Sequence, residues 1–133
     1  MPQSLRILVV EDNDMSRALW LRLLQDWAYE PVGAGDGETA VKLAMEQPFD
    51  LMVCDILLPG QDGIVTISAV KRLHPGTAVI AISGTEKIGG DRFKEQAELA
   101  GADVFLFKPV EPVLLQSEIA RLTKHEEAAL AAH

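Results

Sequence analysis

The sequence contains a single cysteine, Cys54, among its 133 residues. One chain therefore cannot form an internal disulfide bond, which indicates a reducing compartment. Long apolar runs are also missing: residues 7–10 are too few for the core of a signal peptide, acidic residues follow them directly, and no run approaches membrane-spanning length. These features predict a soluble, cytoplasmic protein without a membrane anchor.

Basic residues are scarce as well, with 12 Lys and Arg against 20 Asp and Glu and a net charge of -8. A surface of this sign repels nucleic-acid phosphates and anionic membranes, so direct DNA binding is not expected. Hydrophobic residues make up 48% of the chain, which is enough for a buried core in a domain of this length. We expect one globular domain over residues 1–125, followed by an alanine-rich tail at 126–133.

Strand-like and helix-like segments alternate along the chain with short connections. The runs that predict strands are residues 5–10, 31–34 (interrupted by Gly33), 51–54, 78–82 and 104–107. The run 51–54 has no polar alternation, as expected of a central parallel strand that is covered on both faces. In the first helix, either Asp14 or Ser16 is expected as the N-cap. The apolar stripe of that helix comprises Leu19, Trp20, Leu23, Leu24 and Trp27. Five strand–helix units predict a three-layer α/β sandwich with a parallel sheet.

Four of these strands are followed by residues whose side chains can take part in phosphoryl transfer. Glu11 and Asp12 follow the first, Asp55 the third, Ser83 the fourth and Lys108 the fifth. In an open parallel sheet, ligands bind outside the carboxyl ends of the strands. Three carboxylates, a hydroxyl and an ammonium group should therefore meet in one pocket, which suits a divalent cation and a phosphoryl group.

Each of these residues also has an ordinary structural interpretation. Glu11 and Asp12 could be solvated acids favoured by a helix N-terminus, and Asp55 or Ser83 could form a turn. Lys108 could be a solvated loop residue. Their shared position at strand ends favours the site.

Four motifs identify a family. They are ILVVEDN at residues 7–13, DILLPGQDG at 55–63, ISG at 82–84 and GADVFLFKP at 101–109. In this order and at these strand ends, they resemble the receiver domain of bacterial two-component response regulators over nearly the whole chain. The resemblance implies a flavodoxin-like (βα)5 fold with strand order 2-1-3-4-5.

The resemblance also implies a role for each site residue. Asp55 is expected to accept the phosphoryl group, and Glu11, Asp12, Asp55 and the backbone carbonyl of Leu57 to hold Mg²⁺. Lys108 and the Ser83 hydroxyl are expected to bind phosphoryl oxygens. A Mg²⁺ ion suits this set because it takes oxygen ligands and neutralises both the carboxylate and the phosphoryl dianion.

Two further features are implied for the same region. The peptide bond between Lys108 and Pro109 is expected to be cis. Ser83 and Phe105 are expected to form a switch, in which the aromatic ring moves when the serine is drawn towards the phosphoryl group.

The implied function is a switch in a two-component or phosphorelay system. The phosphoryl donor would be a histidine kinase or a histidine phosphotransfer protein. The domain would catalyse only its own phosphorylation and dephosphorylation, so it is not expected to be an enzyme with external turnover. Output would pass to a protein partner through the fourth helix, fifth strand and last helix. The chain is expected to be a stand-alone, single-domain regulator similar to the chemotaxis regulators, and the alternative is a piece of a larger regulator. Homodimer formation stays open.

Three features depart from the family pattern. Gly84 stands where alanine is usual, and residues 85–91 form a longer segment than is common, which leaves the start of the fourth helix open. Leu57 and Thr85 occupy the positions that tune dephosphorylation, and neither is an acid or amide. We therefore expect a long-lived phosphorylated form.

The alternative is a haloacid-dehalogenase-type phosphatase. Asp12 and Asp14 match its D-x-D opening, with Asp12 as nucleophile and Asp14 as general acid. Against this alternative, the chain has no room for the cap domain that such phosphatases usually carry. The alternative also does not explain the motif at 55–63. Turnover of a generic phosphomonoester would separate the two functions.

Overall fold

The structure, a computed structural model, describes residues 4–58, 62–84 and 90–123. Within these ranges, five strands alternate with five helices. The strands are β1 (Arg6–Val10), β2 (Glu30–Ala34), β3 (Leu51–Asp55), β4 (Ala78–Ser83) and β5 (Val104–Phe107). The helices are α1 (Asp14–Asp26), α2 (Gly37–Glu46), α3 (Gly63–Leu73), α4 (Gly90–Ala100) and α5 (Pro112–Thr123).

The strands form one parallel sheet in the order β2-β1-β3-β4-β5. This confirms the predicted fold class and strand order. All five residues of β3 are buried, because β1 and β4 pair with its two edges and helices cover both of its faces. The uninterrupted apolar run of the sequence is the local cause, since only such a run tolerates burial on both sides of a sheet.

Helices cover the two faces of the sheet in two groups. The face under α1 and α5 is filled by Ile7, Val9, Leu24, Val53, Ile80, Leu115 and Ile119. The face under α2, α3 and α4 is filled by Leu8, Ala44, Met52, Ile67, Val79 and Ala97. The result is the predicted three-layer sandwich. In the described part of the chain, no helix is both long and apolar enough to cross a membrane.

Two details of α1 differ from the sequence prediction. The N-cap is Asn13, whose Oδ1 accepts a hydrogen bond of 2.8 Å from the backbone N–H of Ser16. Asp14 and Ser16 lie inside the helix, so the cap prediction was wrong. Leu19 was wrongly placed in the buried stripe, since it is 67% exposed. The buried face runs through Leu24, and Leu19 lies on the solvent side because each residue turns the helix by about 100°.

Two predicted segments lie wholly or partly outside the described residues. The long connection at 85–91 is described only from Gly90, where α4 begins. The alanine-rich tail at 126–133 also falls outside the described ranges.

Candidate functional site

The functional residues lie at one edge of the sheet because parallel strands end there together. In the strand register, Asp55 pairs with Ile82 and Ser83 pairs with Phe107. Glu11 and Lys108 directly follow the last residues of β1 and β5. Residues far apart in the sequence are therefore brought together by the topology itself.

Three carboxylates form a compact cluster at this edge. One oxygen from each of Glu11, Asp12 and Asp55 lies within 4.8 Å of the others. Glu11 and Asp55 are only 5% and 7% exposed, whereas Asp12 is open to solvent. Carboxylate oxygens at this spacing repel one another, and they match the oxygen ligands that Mg²⁺ or Ca²⁺ prefers. The donor set therefore fits a hard divalent cation.

Lys108 reaches across the cluster from the end of β5. Its Nζ lies 2.7 Å from Oδ2 of Asp55 and 3.2 Å from Oε1 of Glu11. The backbone N–H of Lys108 donates to the carbonyl oxygen of Ser83 at 2.8 Å, and the Lys108–Pro109 peptide bond is cis. The ammonium group thus offsets part of the charge on two buried carboxylates.

Backbone N–H groups orient the same two carboxylates. Oδ1 of Asp55 accepts a hydrogen bond of 3.0 Å from the N–H of Leu57. Oε2 of Glu11 accepts one of 3.2 Å from the N–H of Asn13. Each buried carboxylate therefore has one oxygen held by the backbone and the other by Lys108.

Burial and charge shift the pKa values of this cluster. Burial raises the pKa of Glu11 above its ordinary value of 4.5, and the charge of Asp55 adds to the rise. The hydrogen bond from Asn13 and the charge of Lys108 oppose it only in part. Burial alone would lower the pKa of Lys108, but its contacts with Asp55 and Glu11 outweigh burial and raise that pKa above 10.5. Lys108 therefore stays an ammonium ion at neutral pH.

An apolar cleft of about 440 Å³ opens beside the cluster, between α1 and the connection after β5. Its lining includes the site residues Glu11, Asp55 and Lys108 and the apolar side chains of Val9, Trp20, Val53, Ile82 and Val110. The sequence predicts Trp20 only as part of the apolar stripe of α1. Its position in the cleft makes this indole a neighbour of the site.

Arg17 is a residue of the site that the sequence prediction missed. Its Nη1 donates to the backbone carbonyl of Glu11 at 2.9 Å, and its Nη2 donates to Oδ1 of Asp14 at 2.7 Å. The side chain passes over Gly33 and Gly35 of the neighbouring β2 edge. Glycines within and beside a strand are a signal for such a close approach, and they are the feature that could have led to Arg17.

The predicted switch residues lie on β4 and β5. Ser83 is fully buried. Phe105 is half-buried, packs against the core under α2, α3 and α4, and meets Phe107 edge-on with 5.2 Å between ring centroids. The motion assigned to Ser83 and Phe105 stays a prediction.

The geometry does not favour the phosphatase alternative. Asp14, its expected general acid, is 92% exposed at its side chain and forms an ion pair with Arg17 in the first turn of α1. Asp14 is also absent from the described carboxylate cluster, which is made by Glu11, Asp12 and Asp55.

Comparison with known families agrees with this geometry. The model of the response regulator receiver domain matches residues 7–120. The chain belongs to this family. Receiver domains are the phosphorylation-dependent signalling switches of two-component systems, and they are not enzymes in the usual sense.

Individual proteins are similar at moderate identity. The chain is 30% identical over 119 residues to the transcriptional regulatory protein ZraR of Escherichia coli K12, covering 90% of this chain and 26% of ZraR. A CheY-like receiver domain of Methanospirillum hungatei JF-1 superposes with a TM-score of 0.87 at 25% identity, covering 96% of this chain and 99% of that one. The receiver domain of the sensor histidine kinase PA1611 of Pseudomonas aeruginosa PAO1, solved with a magnesium ion in its active site cleft, superposes with a TM-score of 0.81 at 27% identity. That match covers 92% of this chain and 99% of the PA1611 domain. The chain thus spans about a quarter of ZraR, the first of these relatives.

Proposed function

We propose that this receiver domain accepts a phosphoryl group on Asp55 from a histidine kinase or a histidine phosphotransfer protein. The observation that carries the proposal is the surrounding of Asp55. It is buried at the end of the central strand, Lys108 is 2.7 Å away, and oxygens of Glu11 and Asp12 lie within 4.8 Å. A nucleophilic carboxylate, acidic metal ligands and a cation for the phosphoryl oxygens are the groups that the transfer requires.

In the transfer, one oxygen of Asp55 forms a bond to phosphorus while the phosphorus–nitrogen bond of the donor phosphohistidine breaks. The departing imidazole takes up a proton from solvent. Glu11, Asp12, Asp55 and the carbonyl of Leu57 would hold Mg²⁺, which when bound supplies charge neutralisation for two anionic reactants. The magnesium ion in the PA1611 receiver domain supports this assignment.

The residues of the chain would divide the remaining work. Lys108 would leave its carboxylate partners to bind a phosphoryl oxygen, as a mobile point charge. The Ser83 hydroxyl would donate to another oxygen, and Phe105 would follow its movement. The domain would catalyse its own phosphorylation and dephosphorylation and turn over no external substrate.

The output surface would be formed by α4, β5 and α5. Exposed apolar side chains stand on both helices: Leu99 is 83% exposed on α4, and Val113 and Leu114 are 75% and 45% exposed on α5. These side chains are available for contact with a protein partner, which would be a downstream target or a second copy of the chain. We place this function in the cytoplasm, where histidine kinases present their phosphohistidine.

The direct test is phosphorylation by acetyl phosphate in the presence of Mg²⁺, followed by intact mass spectrometry. One added phosphoryl group is expected for the wild-type protein and none for Asp55→Asn. Asp26→Asn, an exposed acid on α1, is the matched control and should be labelled normally. Full labelling of Asp55→Asn would overturn the assignment of the acceptor.

The phosphatase alternative predicts a different result. A phosphatase would turn over a generic phosphomonoester many times and lose this activity in Asp14→Asn. The receiver function predicts no such turnover.

A further inference from the structure

We propose that Arg17 is a positioning residue for the metal site, because its guanidinium group fixes the peptide bond that joins Glu11 to Asp12. This inference rests on the proposed function, in which Glu11 and Asp12 hold Mg²⁺. It adds a residue that none of the four sequence motifs includes.

The contact is made to the one peptide group that links two of the proposed ligands. The carbonyl of Glu11 belongs to the Glu11–Asp12 peptide bond, and Nη1 of Arg17 donates to its oxygen at 2.9 Å. A hydrogen bond from a charged donor is stronger than one between neutral groups. The orientation of this peptide sets the direction in which Asp12 leaves the backbone.

Arg17 is itself held at several points. Its backbone N–H donates to the carbonyl of Asn13 at 2.9 Å in the first turn of α1, and Nη2 donates to Asp14 at 2.7 Å. Its side chain is only 23% exposed. A side chain anchored at its backbone and at its guanidinium group can hold another group in place with little loss of conformational entropy.

The edge of β2 is shaped to admit this side chain. A Cβ atom at Gly33 would lie 3.2 Å from Cδ of Arg17, and one at Gly35 would lie 3.2 Å from its Nη1. Both distances are tighter than ordinary contacts, so the arginine would have to shift. At Gly33 the Cβ atom would also lie 3.0 Å from Cδ1 of Leu21, whereas at Gly35 it would meet only Arg17. The backbone N–H of Glu11 donates to the carbonyl of Ala34 at 3.0 Å, between the two glycines. Arg17 therefore binds the carbonyl oxygen of Glu11, and β2 binds its backbone N–H, so the peptide groups on both sides of Glu11 are held.

The sign of the effect separates positioning from charge. The positive charge of Arg17 near the carboxylates should by itself repel Mg²⁺. If Arg17 acted through its charge alone, its removal would therefore tighten Mg²⁺ binding. If the main role of Arg17 is to orient Glu11 and Asp12, its removal weakens Mg²⁺ binding. Residues that orient metal ligands typically change metal affinity by about 10- to 100-fold when they are replaced.

The test is a Mg²⁺ titration by isothermal calorimetry, with intrinsic tryptophan fluorescence, to which Trp20 in the adjacent cleft contributes, as a second readout. We expect Mg²⁺ to bind Arg17→Gln about 10-fold more weakly. Arg17→Lys, which keeps one donor, should recover part of the affinity. Phosphorylation by acetyl phosphate should need more Mg²⁺ for its half-maximal rate but approach the wild-type rate at saturation. Arg22→Gln is the matched control on the same helix, because Arg22 is 79% exposed and pairs only loosely with Asp26 at 3.7 Å.

A folded Arg17→Gln protein with wild-type or tighter Mg²⁺ affinity would overturn the proposal. If this variant does not fold, Gly35→Ala provides the decision, since the added Cβ would lie 3.2 Å from Nη1 and must shift the guanidinium group by a few tenths of an ångström, while the arginine itself is kept. It should weaken Mg²⁺ binding in the same direction, and unchanged binding would count against the role of Arg17. Unaltered Mg²⁺ binding in Asp55→Asn would instead refute the metal site itself, so the two failures are distinguishable.

Discussion

The ammonium group of Lys108 lies 2.7 Å from Oδ2 of Asp55, although 53 residues separate the two in the sequence. The same group lies 3.2 Å from Oε1 of Glu11. One cation thus balances two buried carboxylates at the place where a divalent ion would do the same. Lys108 and a bound Mg²⁺ ion would therefore compensate the same negative charge.

This relationship predicts a stability that depends on Mg²⁺. Lys108→Met keeps the length of the side chain but leaves Asp55 and Glu11 without their cation. In EDTA, the free energy of unfolding should fall by about 1–3 kcal/mol, and added Mg²⁺ should restore more stability than it adds to the wild type. Urea denaturation with and without Mg²⁺ measures both effects. The exposed Lys42→Met is the control, and equal stability of Lys108→Met and wild type in EDTA would contradict the prediction.

The raised pKa of Glu11 predicts how stability depends on pH. Because the folded state raises this pKa above 4.5, the folded protein binds a proton more readily than the unfolded chain. The contribution of Glu11 to stability is therefore full below pH 4.5 and is lost as pH rises through the folded-state pKa. In EDTA, the stability of wild type relative to Glu11→Gln should fall as pH rises from 4.5 through the folded-state pKa of Glu11, as measured by urea denaturation. Glu46→Gln, on the exposed side of α2, should show no such trend, and a rise for Glu11 would refute the assignment.

We predict that any side chain at Gly63, at the start of α3, destabilises the protein. A Cβ atom there would lie 2.2 Å from the carbonyl oxygen of Asp55 and 2.6 Å from Cα of Ile56. Gly63→Ala must push α3 away from the end of β3, which should cost about 1–3 kcal/mol of stability. It should also slow phosphorylation of Asp55. Gly76→Ala is the matched control, since its Cβ would meet nothing within 4 Å, and equal behaviour of the two variants would show that the close approach is unimportant.

Leu57 should govern how long the phosphoryl group lasts. Its side chain is 49% exposed and its N–H already binds Asp55, so it stands beside the acceptor. An amide at this position could orient the attacking water, and Leu57→Asn should speed loss of the phosphoryl group several-fold, or about 1 kcal/mol of barrier. Adding Thr85→Glu, outside the described residues, should speed it further. Decay of the phosphoprotein measured by mass spectrometry tests this, with the exposed Val65→Asn as control. An unchanged rate in both Leu57 variants would show that residue 57 does not control the lifetime of the phosphoryl group.

Phosphorylation should also move the region around Phe105. A phosphoryl group adds about -1.5 to -2 charges and attracts the hydroxyl and ammonium donors of the site. If Ser83 is drawn inwards, Phe105 can shift beside Phe107, which it already contacts edge-on. Amide chemical shifts with a beryllofluoride mimic should then change near Phe105 and along residues 93–100. Changes confined to the acidic cluster would contradict this route of signalling.

Local features of the sequence were enough to predict the strands and the identity of the acidic and basic groups at their ends. An apolar run such as 51–54 indicates a strand that is buried on both faces. Parallel strands end at the same edge of the sheet, and this does not depend on the loops between them. The fold class and the meeting of Glu11, Asp12, Asp55 and Lys108 were therefore predictable. The family motifs added the strand order and the expected role of each residue.

Only the tertiary structure decided how these groups are paired and buried. Local sequence does not show that Lys108 contacts Glu11 across 97 positions, or that Glu11 is buried while Asp12 is open to solvent. Asn13 is the N-cap of α1 because the position of the cap depends on where the chain leaves β1. Leu19 became exposed because the face that α1 buries depends on how the helix lies on the sheet. Arg17 entered the site for a related reason: its position depends on the space that Gly33 and Gly35 leave on a neighbouring strand, and side-chain packing between distant segments determines that space.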